Sequence, residues 1–435
     1  MIDKIISTFF SRILVTIIMF AIVVIKTNCF GAEGTGTIAL IILGLTILQL
    51  FSNFVGGGTI VYLVPRKSFS QLVVLTYSWS FISNIAGIFI LDALHLIPAG
   101  FESLLFILSV ISSLYLINIS LMQGKENIKQ YNRYQISQSL LLALIFCMLL
   151  FISKLTHQDY SVKSYVYALI ISYFIPLIFS FRFIARHIDK FKFLKLGSLC
   201  KEMLQLGLWV QLGNFAQLMN YRLNYYFIEF YAGRKSLGIF ELGTKLSEMI
   251  WIFPKSIALV QYAKLANCEN TEYAKKLTLS LQKMVFCFTS LVAIALMLVP
   301  AQILASIFGA EFYEAKHVIY RLVPGIVSLS CLTIFSHHFS GFGKYWINTC
   351  SSAIGFFITL GLGIWLIPSA AAINALEAIK TAAIITSISY FSSLLFSLIL
   401  FFKETNSSLK MLLITKSDYH VLKTEIMHFL KNKKR

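Results

Sequence analysis

Four charged residues interrupt an otherwise apolar stretch: Glu241, Lys245, Glu248 and Lys255. At 100° per residue they fall within a helical arc of about 80°. Glu241 stands four residues before Lys245, the favourable order for an ion pair along a helix. Upstream, Gln211, Asn214, Tyr221, Arg222 and Tyr225 share an arc of roughly 100°, with Gln217 and Asn224 at its edge. An arginine fork is planar, always charged and suited to phosphate or carboxylate oxygens. Two chemistries are open. The charges line a watery cavity that holds an anionic ligand, or they neutralise one another and glue helices together, Arg222 against a glutamate of the next segment. Glu241 and Glu248 then serve charge balance or coupling.

Arg321, above Glu314 and His317, and Arg12 are further cationic candidates for such a cavity. Each lies close enough to a span end to snorkel outward instead. His337 and His338 could titrate in a proton-coupled cycle or sit at an interface. No G-x-G-x-x-G, Walker A, H-E-x-x-H or G-x-S-x-G motif occurs. The seven cysteines (29, 147, 200, 268, 287, 331 and 350) form no C-x-x-C or Cys/His cluster and read as small buried hydrophobes. No metal or organic cofactor is expected; a coupling cation, H+ or Na+, is left unspecified.

Composition sets the elements that must carry these residues. Of 435 residues, 57% are hydrophobic and 13% charged, about half the charge of a soluble domain. With 38 Phe besides, lipid must be the solvent for most of the chain. The net charge of +18 then belongs to loops facing the cytoplasm rather than to nucleic acid. Twelve segments are long and apolar enough to span: 5–26, 36–64, 71–93, 103–123, 135–153, 164–184, 205–230, 238–260, 278–299, 318–339, 346–366 and 378–402. The first is too long for a signal-peptide core and reads as a retained span. In the second, Gly56, Gly57 and Gly58 should end the helix and leave 59–64 as an irregular exit.

An even number of spans puts both termini on one side. Lys and Arg number 25 on that side and 5 on the other, so both termini are expected in the cytoplasm. The basic connection 185–204 divides an N-terminal bundle, 1–184, from a C-terminal one, 205–402. The tail 403–435 alternates apolar residues with Lys, either an amphipathic helix on anionic headgroups or a solvated basic tail. Short matches link the halves: Phe30-Gly31-Ala32-Glu33-Gly34-Thr35-Gly36 with Tyr231-Ala232-Gly233-Arg234-Lys235-Ser236-Leu237-Gly238, and Gln123-Gly124-Lys125 with Phe342-Gly343-Lys344. Parallel six-span repeats follow, with a site expected between the halves. The fold class is thus an all-α integral membrane protein of about twelve transmembrane helices in two six-helix bundles.

The stretch 30–36 ahead of an apolar helix resembles the entry to the second span of Wzx-like polysaccharide flippases, in the multidrug/oligosaccharidyl-lipid/polysaccharide (MOP) exporter superfamily. Residues 207–266, with Gly238-Ile239-Phe240, Glu248 and Pro254, resemble that family's seventh and eighth spans. Ile307-Phe308-Gly309-Ala310-Glu311-Phe312, Pro324-Gly325-Ile326 and Ala382-Ala383-Ile384-Ile385-Thr386-Ser387-Ile388-Ser389-Tyr390 are similar to its tenth-span approach and last span. The resemblance implies a V-shaped, MATE-like transporter with pseudo-twofold repeats and alternating access. Its substrate would be a polyprenyl-diphosphate-linked oligosaccharide, moved to the periplasmic leaflet of a bacterial inner membrane for O-antigen or other surface polysaccharide. Membrane lipids and a polysaccharide polymerase or export machinery would be its partners; nucleic acid would not. Arg222, Lys245, Lys255, Arg321, Arg12, Gln211, Asn214 and Tyr225 would face diphosphate and sugars. One departure bears on coupling: many relatives carry Asp two residues after the seventh-span Arg, and this chain has Asn224. The alternatives are a MATE-like small-molecule exporter and an O-antigen polymerase or ligase. The latter would need a large outer loop, whereas the longest connection here is basic.

Overall fold

A computed structural model describes residues 2–125, 127–157, 160–188, 196–265, 270–406 and 409–412; the side chains of 2–12, Arg12 among them, lie outside that description. In lipid every backbone N–H and C=O must be satisfied within the segment, so apolar runs of this length become helices. They do so throughout: α1 (Ile2–Ser52), α2 (Gly57–Leu63), α3 (Phe69–Ala93), α4 (Glu102–Gly124), α5 (Ile128–Leu155), α6 (Val162–His187), α7 (Leu196–Glu248), α8 (Ile252–Leu265), α9 (Thr271–Leu298), α10 (Ala301–Phe308), α11 (Ala315–Gly341), α12 (Tyr345–Ile373) and α13 (Ala375–Thr405). No strand occurs among the described residues.

Among the described residues, nine helices are long and apolar enough to cross a membrane by length and composition. The first of them, α1, is two rods joined at Gly31 (φ 61°, ψ −166°). The polar α7 is likewise two rods joined at Gly233 (φ 81°, ψ 169°), the second continuing through a 3-10 turn, Met249–Trp251, into α8. Counting rods recovers the twelve segments of the hydropathy pattern.

Both joints occupy a backbone region open essentially to glycine alone, and they stand 202 positions apart, as do Gly36 and Gly238. The repeat seen in the sequence is therefore a repeat in backbone conformation. Gly343 also has positive φ (73°), but its sequence counterpart Gly124 ends α4 without one. At Gly233 the chain reverses. Tyr225 and Glu241, about 24 Å apart on a straight helix, are hydrogen-bonded to each other. A Cβ built on Gly233 meets no neighbour within 4 Å, so Gly233→Ala is expected to cost about 1–3 kcal/mol of backbone strain alone, read as a lower Tm in detergent.

One expectation is corrected. The break in the second span falls at 53–56, and residues 57–63 form the helix α2 rather than an irregular exit. Gly57 turns the chain with φ 52°, and the renewed helix buries Ile60, Leu63 and Val64 against Leu121 and Met122 of α4. Of the connection 185–204, residues 185–187 end α6 and 196–204 begin α7, whereas 189–195 lie outside the described residues. Most of the tail, from 413 onward, does too.

The chain divides into two compact units, Met1–Phe215 with Ile307–Glu311, and Ala216–Ser306 with Phe312–Arg435. Lipid supplies little drive for helices to associate, so small residues and interhelical hydrogen bonds do the work. In the first unit Gln49 donates to Ser112 (3.0 Å), Ser52 to Ser80 (2.9 Å), Asn118 to Ser180 (2.7 Å) and Gln138 to Ser172 (3.1 Å). These bonds tie α1 to α3 and α4, and α6 to α4 and α5. In the second unit Ser351 and Ser393 exchange bonds between α12 and α13, each hydroxyl donating to the other's carbonyl at 3.0 and 2.9 Å.

Candidate functional site

The fold-back at Gly233 determines the site. It returns the second rod of α7 alongside the first, bringing Glu248 to Arg222, 26 positions away in sequence. The guanidinium Nη1 and Nη2 donate to the two carboxylate oxygens of Glu248 at 2.6 and 2.7 Å, a bidentate pair. Only 15% and 13% of these side chains stay exposed. The Tyr225 ring lies under the guanidinium at 5.1 Å, and its hydroxyl donates to Glu241. Glu241 also meets Lys245 at 3.8 Å, a looser contact, with 40% of the lysine side chain exposed. Arg222, Tyr225, Glu241, Lys245 and Glu248 therefore form one cluster in the second unit.

An aromatic wall flanks it. Tyr221 packs on Trp251 and Tyr390, each at 5.4 Å between centroids, and Gln217 donates to the Tyr221 hydroxyl at 2.9 Å. Lys255, which is exposed, lies 5.0 Å from the Trp251 ring. The four charges of the stripe are thus all engaged, three through ion pairs and Lys255 through an indole. The charges are paired, and the side chains of Lys245 and Lys255 stay partly or largely exposed.

Other candidates lie elsewhere. Asn214 donates to Gln211 at 3.1 Å, and both belong to the part of α7 counted with the first unit. Arg321 donates to the His317 carbonyl at 3.2 Å, near Glu377 and Lys380, which pair at 2.7 Å; no described contact joins it to Arg222. His338 is buried, bonded to Thr278 at 2.8 Å and packed on Phe339, Phe342 and Phe401, so it is a core residue rather than an interfacial one. His337 bonds at the Thr333 carbonyl, 2.8 Å away. A cavity of about 330 Å³ opens beside Lys316, His317 and Tyr320 and shares no residue with the Arg222 cluster. Its lysine is committed to the Met297 and Val299 carbonyls at the C-terminus of α9, where a cation offsets the helix dipole.

Sequence reasoning misses Asn220, Trp251 and Tyr390. Asn220 is buried, and its carbonyl oxygen accepts from Ser389 of α13 and from Thr359 of α12 at 3.4 Å. One turn on, Asn224 donates to the Ala382 carbonyl (3.1 Å) and to Thr386 (2.8 Å). Trp251 carries a local signal, standing one turn from both Glu248 and Lys255. Tyr390 carries none, since nothing in an apolar span marks which ring turns inward.

No protein-family model and no curated protein sequence matches the chain. Solved structures do. The lipid II flippase MurJ in an inward closed conformation is similar with a TM-score of 0.71 at 15% identity, over 99% of this chain and 97% of that one. An inward-facing multidrug resistance MATE family transporter of the MOP superfamily gives 0.67 at 14%, over 91% and 96%. A point mutant of the Vibrio cholerae MATE transporter VcmN gives 0.64 at 10%, over 94% and 98%. At nearly full coverage of both partners, this multi-pass membrane protein shares the fold of these solved structures.

Proposed function

We propose that the protein moves a polyprenyl-diphosphate-linked oligosaccharide from the cytoplasmic to the periplasmic leaflet of a bacterial inner membrane by alternating access, with both termini in the cytoplasm. The observation that carries this reading is the Arg222 fork, held on a partly exposed polar face with Lys245 and Lys255 nearby. A diphosphate presents the same paired oxygens as the Glu248 carboxylate and can take its place on the fork. Tyr221 and Gln217, neither of them buried, offer a ring face and a polar edge for sugars. An inside-negative potential favours outward movement of an anion by about 2.3 kcal/mol per charge per 100 mV.

A second reading, a MATE-like small-molecule exporter, draws on the balance of the cluster: Glu241 and Glu248 match Arg222 and Lys245. Leaflet sidedness of lipid-linked oligosaccharide, in cells lacking the protein and after the gene is restored, separates the two. Accumulation on the cytoplasmic leaflet, cleared by restoration, is expected. An unchanged distribution would hand the function to small-molecule export, and unpolymerised units on the outer leaflet to an enzyme.

A further inference from the structure

Residues 307–311 are an outlier in the division of the chain. Their flanks, up to Ser306 and from Phe312, belong to the second unit, whereas the five residues group with the first. Three contacts hold them there. The Glu311 carboxylate accepts a hydrogen bond from the backbone N–H of Ala32, the first residue beyond the Gly31 joint, at 2.7 Å. Asn28 donates to the Ile307 carbonyl, also at 2.7 Å. Phe308, almost fully buried, meets the ring of Phe20 edge-on at 6.1 Å.

We propose that this segment is a latch on the α1 joint at Gly31, docked in the described conformation and released as the protein cycles. The fit is specific to glycine: a Cβ on Gly31 would stand 2.7 Å from the Glu311 carboxylate oxygen. The contact is also of a kind that can open and close. Ala32 begins a helical rod whose first N–H groups have no partner within the helix, and an anionic cap there is favoured by the helix dipole. Asn28 and Glu311 are exposed, so water can replace both hydrogen bonds on release, and Gly309 (φ 110°) supplies a pivot within the segment. The inference rests on the transport reading of the preceding subsection, though not on its lipid-linked substrate.

The test uses the full-length chain in lipid nanodiscs, with Cys29→Ser to remove a neighbouring thiol. Asn28→Cys and Ile307→Cys are bridged by a reducible bis-methanethiosulfonate. Bridging should be efficient, should slow hydrogen exchange of the peptide 32–36 at least about tenfold, and should be reversed by dithiothreitol. The same bridge in liposomes should cut translocation at least about tenfold. Failure to bridge, or exchange that ignores the bridge, overturns the latch. Glu311→Ala provides an independent arm: exchange at 32–36 should rise about tenfold, and an unchanged rate overturns the cap. Exchange that responds as expected in a protein that moves no lipid-linked oligosaccharide, bridged or reduced, keeps the latch and overturns the substrate.

Discussion

Arg222→Glu and Glu248→Arg are each expected to abolish transport and lower Tm, whereas the double exchange restores Tm and leaves transport dead. Each single change sets like charges against each other where a bidentate pair now closes at 2.6 Å. Hydrogen bonds to charged groups contribute about 1.5–3 kcal/mol each, and breaking a buried pair by removing one partner costs about 3–5 kcal/mol. With 15% and 13% of the side chains still exposed, a loss near the lower of these ranges is expected. The double variant rebuilds the pair with its polarity reversed. Stability then returns, because a pair is indifferent to which rod carries the cation. Transport does not, because the fork now springs from the rod after Gly233 and a carboxylate takes its place over the Tyr225 ring. Full activity in the double variant would make the pair mere glue and remove Arg222 from the substrate site.

That experiment turns on a contact whose two halves are legible in the sequence while their meeting is not. The periodicity of 241–255 puts Glu241, Lys245 and Glu248 on one face, and the arc around Arg222 is equally plain. Which glutamate the arginine takes depends on the fold-back at Gly233. Tyr225 and Glu241 stand eight residues either side of that glycine and bond directly. Arg222 and Glu248 stand eleven before and fifteen after, a turn out of symmetry, which is within the reach of two long side chains. The local i, i+4 rule points instead to Glu241 with Lys245, and at 3.8 Å that contact is the weaker one. Hydropathy locates the spans because lipid imposes length and apolarity. It places the break in the second span a few residues late, because a glycine triplet marks where a helix can end and not where it can restart. Residues such as Asn220 and Tyr390 stay invisible because their roles come from partners more than a hundred residues away in the chain.

Asn224→Asp is expected to make the protein sodium-dependent where the native chain is not. The native amide nitrogen donates to the Ala382 carbonyl and the Thr386 hydroxyl, so in effect it occupies the place of a small cation among oxygens. Asn224 is 2% exposed. Replacing the amide with a carboxylate sets an oxygen against the Ala382 carbonyl oxygen, across a contact now 3.1 Å long. It also buries a charge there beside the Thr386 hydroxyl, whose own proton is already donated to the Ala382 carbonyl. Leaving a buried polar group unsatisfied costs about 1–3 kcal/mol, and more when it is charged. Carboxylate, carbonyl and hydroxyl oxygens converging on one point are also the hard ligands that an alkali cation prefers. Sodium should therefore recover most of the lost Tm in Asn224→Asp, choline chloride of equal ionic strength should recover none, and neither salt should discriminate in the native protein. A native Tm or transport rate that rises with sodium alone would mean that a cation already has a site elsewhere in the chain, and Asn224 would then be a structural tie and no substitute for one.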